Sequence, residues 1–361
     1  MEQALSLAKL ALGQVSPNPA VGAVVVKDGI VVGQGYTQPP GSWHAEVVAL
    51  KQAGKEARGG VMYVTLEPCC HYGRTPPCTQ AIIAAGIVEV HLAMLDANPL
   101  VSGRGKDELE GEGIKVYLGE HEEEAKKLNE TYTKFITTGL PFVTAKFAIS
   151  LDGKIATRSG DSKWISGDEA RQYVHDLRYT SDAIMVGVNT VLVDDPRLTA
   201  RSCGDSGGIA RKQPMRVIVD GKGRTPLTAH LFNEPGKTLL ALGKFVTPEE
   251  RAAFAQVDAE LLELPSEGGL VDLRKLLKAL GEREITSVLV EGGGILLGSL
   301  FDCRLVDKVI AFIAPIIIGG EEAKTAVSGK GVDKVVDSLK LRHVSLEKFG
   351  EDLMVSGYVK E

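Results

Sequence analysis

Apolar positions along the first 140 residues follow two rhythms. Residues 2–13 carry them at helical spacing and stop at Gly13. AVVVKDGIVVGQGY reads as two strands joined at Asp28-Gly29, a two-residue hairpin signal. HAEVVALKQAG (44–54) returns to helical spacing and closes at Gly54. VMYVTL (61–66) and VEVHLAML (88–95) are apolar runs of strand length, with a helix over 79–86 between them. This alternation predicts a three-layer α/β domain. A helix over 121–140 leads out of it and breaks at Gly139-Leu140-Pro141. A new strand, FVTAKFAIS, begins at 142, so a boundary is expected at 140–145 and is drawn between a domain at 1–143 and another at 144–361.

The second half repeats the alternation. After the first strand come a turn at LDGK, a helix over 166–180, a strand over 182–188 and then a loop. A surface loop is expected at 203–213, strands at 215–220 and 238–243, and a helix at 270–281. TSVLVEGGGILLGSL (286–300) reads as a buried strand running through glycines into a helix. The fold class is therefore α/β in both halves.

Composition narrows the setting. The 361 residues are 44% hydrophobic and 24% charged, as in soluble globular proteins. A formal net charge of −6 argues against a nucleic-acid partner, while leaving room for a local basic pocket. The start, MEQALSLAKLALGQ, lacks the pattern of a secretory signal. No apolar run is long enough to span a bilayer. A cytoplasmic protein without a membrane partner is expected. The cysteines are Cys69, Cys70, Cys78, Cys203 and Cys303. Three are clustered, and in a reducing cytosol such a cluster points to metal binding or catalysis.

The chemistry is carried by His44-Ala45-Glu46 and by EPCCHYGRTPPC at 67–78. One imidazole and two thiolates would hold zinc and leave an open position for water. Glu46, two residues past His44, would be the proton shuttle of an H-x-E arrangement. The second thiolate lies eight intervening residues beyond Cys69, unlike the tight P-C-x-x-C of many base deaminases. A closed structural zinc with Cys70 or His71 as a fourth ligand is the other reading of these residues.

SPNPAVGAVVV, HAEVVAL, TLEPCCHYGRTPPC and LDANPLVSGRG, in this order, resemble the deaminase domain of the bifunctional riboflavin-biosynthesis deaminase–reductases. The resemblance implies a cytidine-deaminase-like fold, Zn2+ on His44, Cys69 and Cys78, and Glu46 as acid/base. It makes Cys70 a bystander. It implies substrate contacts at Asn18, His71, Arg74, Asp96 and Asn98. Thr37 and Val48 stand where that family often has histidines.

AKFAISLDGKIAT, GDSKWISG, LRYTSDAIMVGVNTVLVDDPRLTAR and VLVEGGGILLGSL resemble the same enzymes' reductase domain. This implies a dihydrofolate-reductase-like fold that uses NADPH. Cofactor contacts are implied at Ala148, Trp164, Thr190 and Asp194, and along Gly293, Gly294, Ile295, Leu296, Leu297, Gly298 and Ser299. Contacts to a phosphorylated pyrimidine substrate are implied at Ser162, Arg178, Leu198, Arg201 and Glu291. Lys146 and Asp152 are further polar candidates. The family also implies a homo-oligomer built through the reductase domain. A zinc deaminase of cytidine or adenosine type with a reductase-like tail, and a structural-zinc interaction protein, are the rival readings.

Overall fold

The computed structural model describes residues 1–73, 75–201 and 212–360. Arg74 and nearly all of the loop expected at 203–213 lie outside them. The chain divides into two compact units, Met1–Leu140 and Pro141–Glu361. The expected cut at 143/144 falls three residues later, inside a continuous strand that begins at Phe142.

The first unit runs α1 (Glu2–Lys9), β1 (Gly22–Lys27), β2 (Ile30–Tyr36), α2 (Ala45–Ala53), β3 (Val61–Val64), α3 (Cys78–Ala85), β4 (Glu89–Leu92), α4 (Arg104–Gly111), β5 (Lys115–Leu118), α5 (Glu122–Leu128) and α6 (Glu130–Thr138). The sheet order is β2-β1-β3-β4-β5. β1 is antiparallel to both neighbours, and β3, β4 and β5 are parallel. The hairpin turns at Asp28 and Gly29, whose φ angles are 51° and 79°, as a two-residue turn with both central residues left-handed requires. Ala23, Val25, Met62, Val64, Val90 and Leu92 alternate onto one buried face. The period-2 alternation puts every second residue of these strands into the same core.

One expected helix is two. Asn129 interrupts the 121–140 stretch between α5 and α6. Its side chain is buried, accepts the Ala20 amide at 2.9 Å and donates to the Ala20 carbonyl at 3.1 Å. A tertiary contact thus overrides a continuous helical pattern. α4 and β5 were not expected from the sequence.

The second unit runs β6 (Phe142–Ser150), α7 (Asp168–Thr180), β7 (Ala183–Gly187), α8 (Val188–Asp194), β8 (Met215–Asp220), β9 (Thr238–Gly243), α9 (Pro248–Ala253), β10 (Glu260–Leu264), β11 (Ser266–Glu267), β12 (Leu270–Val271), α10 (Leu273–Gly281), β13 (Ser287–Val290), α11 (Gly294–Asp302), β14 (Lys308–Ala314), β15 (Leu341–Phe349) and β16 (Asp352–Val359). Nine strands form one sheet in the order β10-β9-β8-β7-β13-β6-β14-β16-β15. It is parallel from β10 to β14 and closes with antiparallel β16 and β15. The stretch after β7, expected as a loop, is helical as α8. Parallel strands need covering on both faces. The residues of α10 and α11 do this on one face, with Leu276, Leu277, Leu280, Leu297 and Leu300 packed against the β-strand valines.

Candidate functional site

In the first unit, two helix starts and one strand end converge. His44 immediately precedes α2, Cys78 opens α3, and Cys69 lies on the segment that leaves β3. Their ligand atoms lie within 4.8 Å of one another. Nδ1 of His44 faces both sulfurs, 3.6 Å from Cys69 Sγ and 3.3 Å from Cys78 Sγ. Nε2 lies 3.4 Å from Thr75 Oγ1, a contact of the kind that orients a metal-binding imidazole. The Cys78 amide, at the helix start, donates to Cys69 Sγ at 3.3 Å. Cys70 points elsewhere, its Sγ 3.9 Å from the Leu100 carbonyl.

The protonation pattern follows from these contacts. The hydrogen bond from Cys78, then burial opposed by His44, leaves the Cys69 thiol well below its usual range. Donating to Cys69, together with burial, pushes the Cys78 thiol up. The contact with Cys69 raises His44. Glu46 is 4% exposed, and burial lifts its carboxyl to about 7. The donor set fits zinc: one imidazole nitrogen and two sulfurs, with no fourth ligand grouped with them among the described residues.

The expected substrate residues fall around this centre unevenly. Asp96 and Asn98 follow β4. Asp96 is buried, accepts the Tyr132 hydroxyl at 2.9 and 3.2 Å, and receives the Asn98 amide at 2.8 Å. Burial raises its carboxyl, and the charge on Cys69 adds to the rise. Nδ1 of His71 is buried without a hydrogen-bond partner, alone in this among the described side-chain nitrogens and oxygens. Such an atom is poised for a ligand. Asn18 sits half-buried on the turn before β1. The two departures from the family pattern have packing roles. Thr37 Oγ1 accepts the Val21 amide at 3.1 Å, and Val48 lies over Gly35 of β2.

In the second unit a cavity of about 1500 Å³ opens along the carboxyl ends of β6, β13, β7 and β8. Ala148, Ser162, Thr190, Asp194 and Glu291 line it. So do Gly293, Gly294, Ile295, Leu296 and Ser299 at the start of α11. The Gly293 amide donates to Thr190 Oγ1 at 3.2 Å, and Ser162 Oγ donates to Asp194 at 2.8 Å. Leu297 and Gly298 face inward instead. A Cβ on Gly298 would stand 2.0 Å from the Ser328 carbonyl oxygen, so only glycine allows that approach. Leu198 is buried in the hydrophobic core, and Arg201 is exposed. Trp164 is 71% exposed, with the Arg171 guanidinium 4.6 Å from its ring centroid.

Arg178 is engaged within the protein. Its Nε and Nη2 donate to the two oxygens of Glu291 at 2.7 and 2.9 Å, and its Nη1 to the Thr199 carbonyl at 3.1 Å. Despite burial, the Arg178 charge holds the Glu291 carboxyl below its usual range. Lys146 lines the same cavity, and burial lowers its ammonium pKa. Asp152 lies apart. Its oxygens take the Ser150 hydroxyl and the Ile318 and Gly319 amides, which pull it down to about 2. Lys222 and Arg224 also line the cavity and were not anticipated. They sit on the turn after β8, where no spacing pattern marks them. The glycine-rich start of α11 and this basic lining fit a dinucleotide carrying phosphates.

Comparison with known proteins identifies the families of both halves. Residues 1–94 match the cytidine and deoxycytidylate deaminase zinc-binding region, and residues 141–355 match the RibD C-terminal domain. The riboflavin biosynthesis protein RibD of Aquifex aeolicus is 45% identical over 356 residues, covering 98% of this chain and 96% of that protein. RibD of Escherichia coli is 40% identical over 360 residues, covering 98% of this chain and 96% of that protein. A crystal structure of Acinetobacter baumannii RibD superposes with a TM-score of 0.88 at 37% identity, covering 100% of this chain and 98% of the other. A Thermotoga maritima deaminase/reductase superposes at 0.85 with 36% identity, covering 100% and 97%. With a zinc-site deaminase domain, a dihydrofolate-reductase-like pyrimidine reductase domain and near full-length identity, the chain belongs to the RibD family, the bifunctional zinc- and NADPH-using enzymes of riboflavin biosynthesis.

Proposed function

We propose that residues 1–140 deaminate a diaminohydroxyphosphoribosylaminopyrimidine and that residues 141–361 reduce the resulting 5-amino-6-(5-phosphoribosylamino)uracil. These are the activities named for the Thermotoga maritima relative. The observation that carries the first half is the His44–Cys69–Cys78 cluster beside the buried Glu46. Zinc held there supplies Lewis-acid activation of water, bringing its pKa toward about 7. Glu46 takes a proton from the attacking water and delivers one to the departing amine, which leaves as ammonia. Asp96 and Asn98 are assigned to the ring edge, and His71, whose buried Nδ1 has no partner within the protein, is assigned to the ligand as well. Arg74 is assigned to the ribose phosphate, since a guanidinium fork suits that anion.

In the second half NADPH supplies the hydride. The residues at the start of α11 would hold its diphosphate. Ala148, Thr190, Asp194, Gly293, Gly294, Ile295, Leu296 and Ser299 would form its bed. Ser162, Arg201 and Glu291 serve the substrate. The cofactor would supply a hydride to C1′ of the ring-opened ribosylamine, and the protein would supply a proton to the imine nitrogen, giving the ribityl amine. Lys146 and Glu291 line the cavity together, and Lys146, whose ammonium burial makes more acidic, is the group assigned to deliver that proton. Arg178 holds Glu291 through two hydrogen bonds and is assigned with it to the substrate.

Two wider assignments complete the reading. β15 is an edge strand with Val344 and Leu346 exposed, which supports self-association through the second unit and is checked by sedimentation. A cytoplasmic location fits the free cysteines Cys69, Cys70, Cys78 and Cys303. The decisive experiment on the deaminating half is Glu46→Gln. It should keep zinc and lose ammonia release by about 10²–10⁴-fold. Near-normal ammonia release by that variant would overturn the role given to Glu46.

A further inference from the structure

Glu67 stands two residues before Cys69 and is 3% exposed. Its carboxylate accepts three backbone amides. Oε2 takes Asp96 at 3.1 Å and Gly103 at 2.9 Å, and Oε1 takes Lys106 at 3.0 Å. A buried carboxylate is tolerated only with such partners. These partners occupy both ends of one loop. Asp96 begins it, Gly103 directly precedes α4, and Lys106 lies in the first turn of α4. Amides at a helix start lack partners within the helix, and a carboxylate suits them.

The loop is also seated on the chain around Glu67. A Cβ on Gly105 would stand 2.2 Å from the Pro68 carbonyl oxygen and 3.2 Å from Glu67 Cγ. The Glu67 amide in turn donates to the Met94 carbonyl at 3.0 Å. Inside the loop, Asn98 Oδ1 accepts the Leu100 amide at 3.0 Å and Asp96 Oδ1 accepts the Asn98 amide at 2.8 Å. One side chain therefore ties the segment that bears the metal-ligating cysteines to the loop that bears Asp96 and Asn98.

We propose that Glu67 is a positioning residue for deamination, setting where Asp96 and Asn98 stand relative to Cys69 and Cys78 and so where the pyrimidine ring sits against the metal site. The inference rests on the reading of Asp96 and Asn98 as substrate-reading groups. Charge and length both matter to it. Glutamine offers one acceptor oxygen, and its NH2 would oppose a backbone N–H.

The test uses the full-length zinc-loaded protein and the variants Glu67→Gln, Gly105→Ala, Asn98→Ala and the Glu67→Gln/Asn98→Ala double. Zinc content, melting temperature, KM and kcat for ammonia release, and reduction of the deaminated substrate are measured on each. Glu67→Gln should raise KM on the order of tenfold to a hundredfold, the worth of one or two lost hydrogen bonds to the ring, with kcat less affected, as when binding common to ground and transition states is removed. Zinc content and reduction should hold. Gly105→Ala, which lifts the loop while keeping the carboxylate, should show the same split and decides the matter if Glu67→Gln does not fold. The double variant should be little worse than the worse single, because coupled residues are not additive. Wild-type KM in Glu67→Gln and Gly105→Ala, with only a lowered melting temperature, overturns the proposal. So does zinc loss in step with activity, or full additivity in the double. Wild-type KM in Asn98→Ala overturns the underlying reading as well, whereas an impaired Asn98→Ala beside a normal Glu67→Gln overturns the clamp alone.

Discussion

Adjacent cysteines with identical chemistry can have unrelated duties when geometry separates them. Cys69 Sγ meets His44 and the Cys78 amide, while Cys70 Sγ is turned toward the Leu100 carbonyl. Cys69→Ser should lose zinc and ammonia release together, and Cys70→Ser should retain both. Metal analysis of the two purified variants checks this, and equal zinc loss in both would sink the assignment. In the second unit, Lys146 shows a different tension. Burial in the cavity wall lowers its pKa, so its charged form destabilises the folded state. That penalty is present while the pH lies below the folded pKa and vanishes as pH rises past the unfolded value of about 10.4. Lys146→Met should therefore melt at a higher temperature at neutral pH, with the gain fading near pH 10, while reduction falls and ammonia release holds. A variant that is less stable at neutral pH would contradict this reading.

At the level of elements, legibility tracked how local each determinant is. β8 and β9 lie at 215–220 and 238–243, where apolar runs between turn residues announce them. The α5–α6 break is invisible locally because Asn129 is held by Ala20, 109 positions away. α8 is spelled VNTVLVD, whose β-branched residues argue against a helix, and contacts in the folded unit override that preference. The metal ligands are legible as residue types, yet only the fold makes one site of them. The lining of the cavity is legible in part: the residues named from the resemblance, such as Thr190, Glu291 and Gly293, line it, while the turn after β8 and the residues at 265–274 and 324–330, brought in from distant loops, carry no signal in the sequence. Its basic turn after β8 carries a prediction. Asp220 ends β8, but its Oδ2 is held by the Thr225 amide and hydroxyl, both at 2.7 Å. It is thus poorly placed to read a ribose hydroxyl. Lys222 and Arg224 line the cavity just beyond, with Arg224 braced by Asn189 at 3.0 Å. Three strand spacings separate β8 from β6, roughly 15 Å, enough to set an adenosine apart from a nicotinamide near Ala148. Replacing Lys222 and Arg224 with alanine should raise KM for NADPH about tenfold or more and leave that for NADH unchanged, since a 2′-phosphate forms charge-assisted contacts that a hydroxyl does not. Equal losses with both cofactors would remove the turn from the 2′-phosphate.

Across the whole molecule, a net charge of −6 coexists with a cavity in which Lys146, Lys222, Arg224, Arg274, Lys324 and Lys330 stand among the carboxylates Asp194, Glu267, Asp272, Glu291 and Asp302. The average charge disfavours polyanions, while the turn bearing Lys222 and Arg224 offers a local site for one small phosphorylated ligand. The two units carry separate cores and separate chemistries. The metal ligands belong to Met1–Leu140, and every residue lining the large cavity belongs to Pro141–Glu361. Removing the metal should therefore silence only one of them. Purified protein is assayed for ammonia release from the diaminopyrimidine substrate and, in parallel, for NADPH oxidation on substrate already deaminated, each with and without a chelator. Ammonia release should fall to background with chelator and return with added zinc, while NADPH oxidation holds within about twofold, because the three grouped ligands found among the described residues all lie in the first unit. If NADPH oxidation collapses in step with ammonia release, the reductase chemistry depends on the metal site, and the separation of the two chemistries fails. If ammonia is never released while NADPH is still consumed, the first unit takes another substrate, and Thr37 and Val48 become the first positions to restore to histidine.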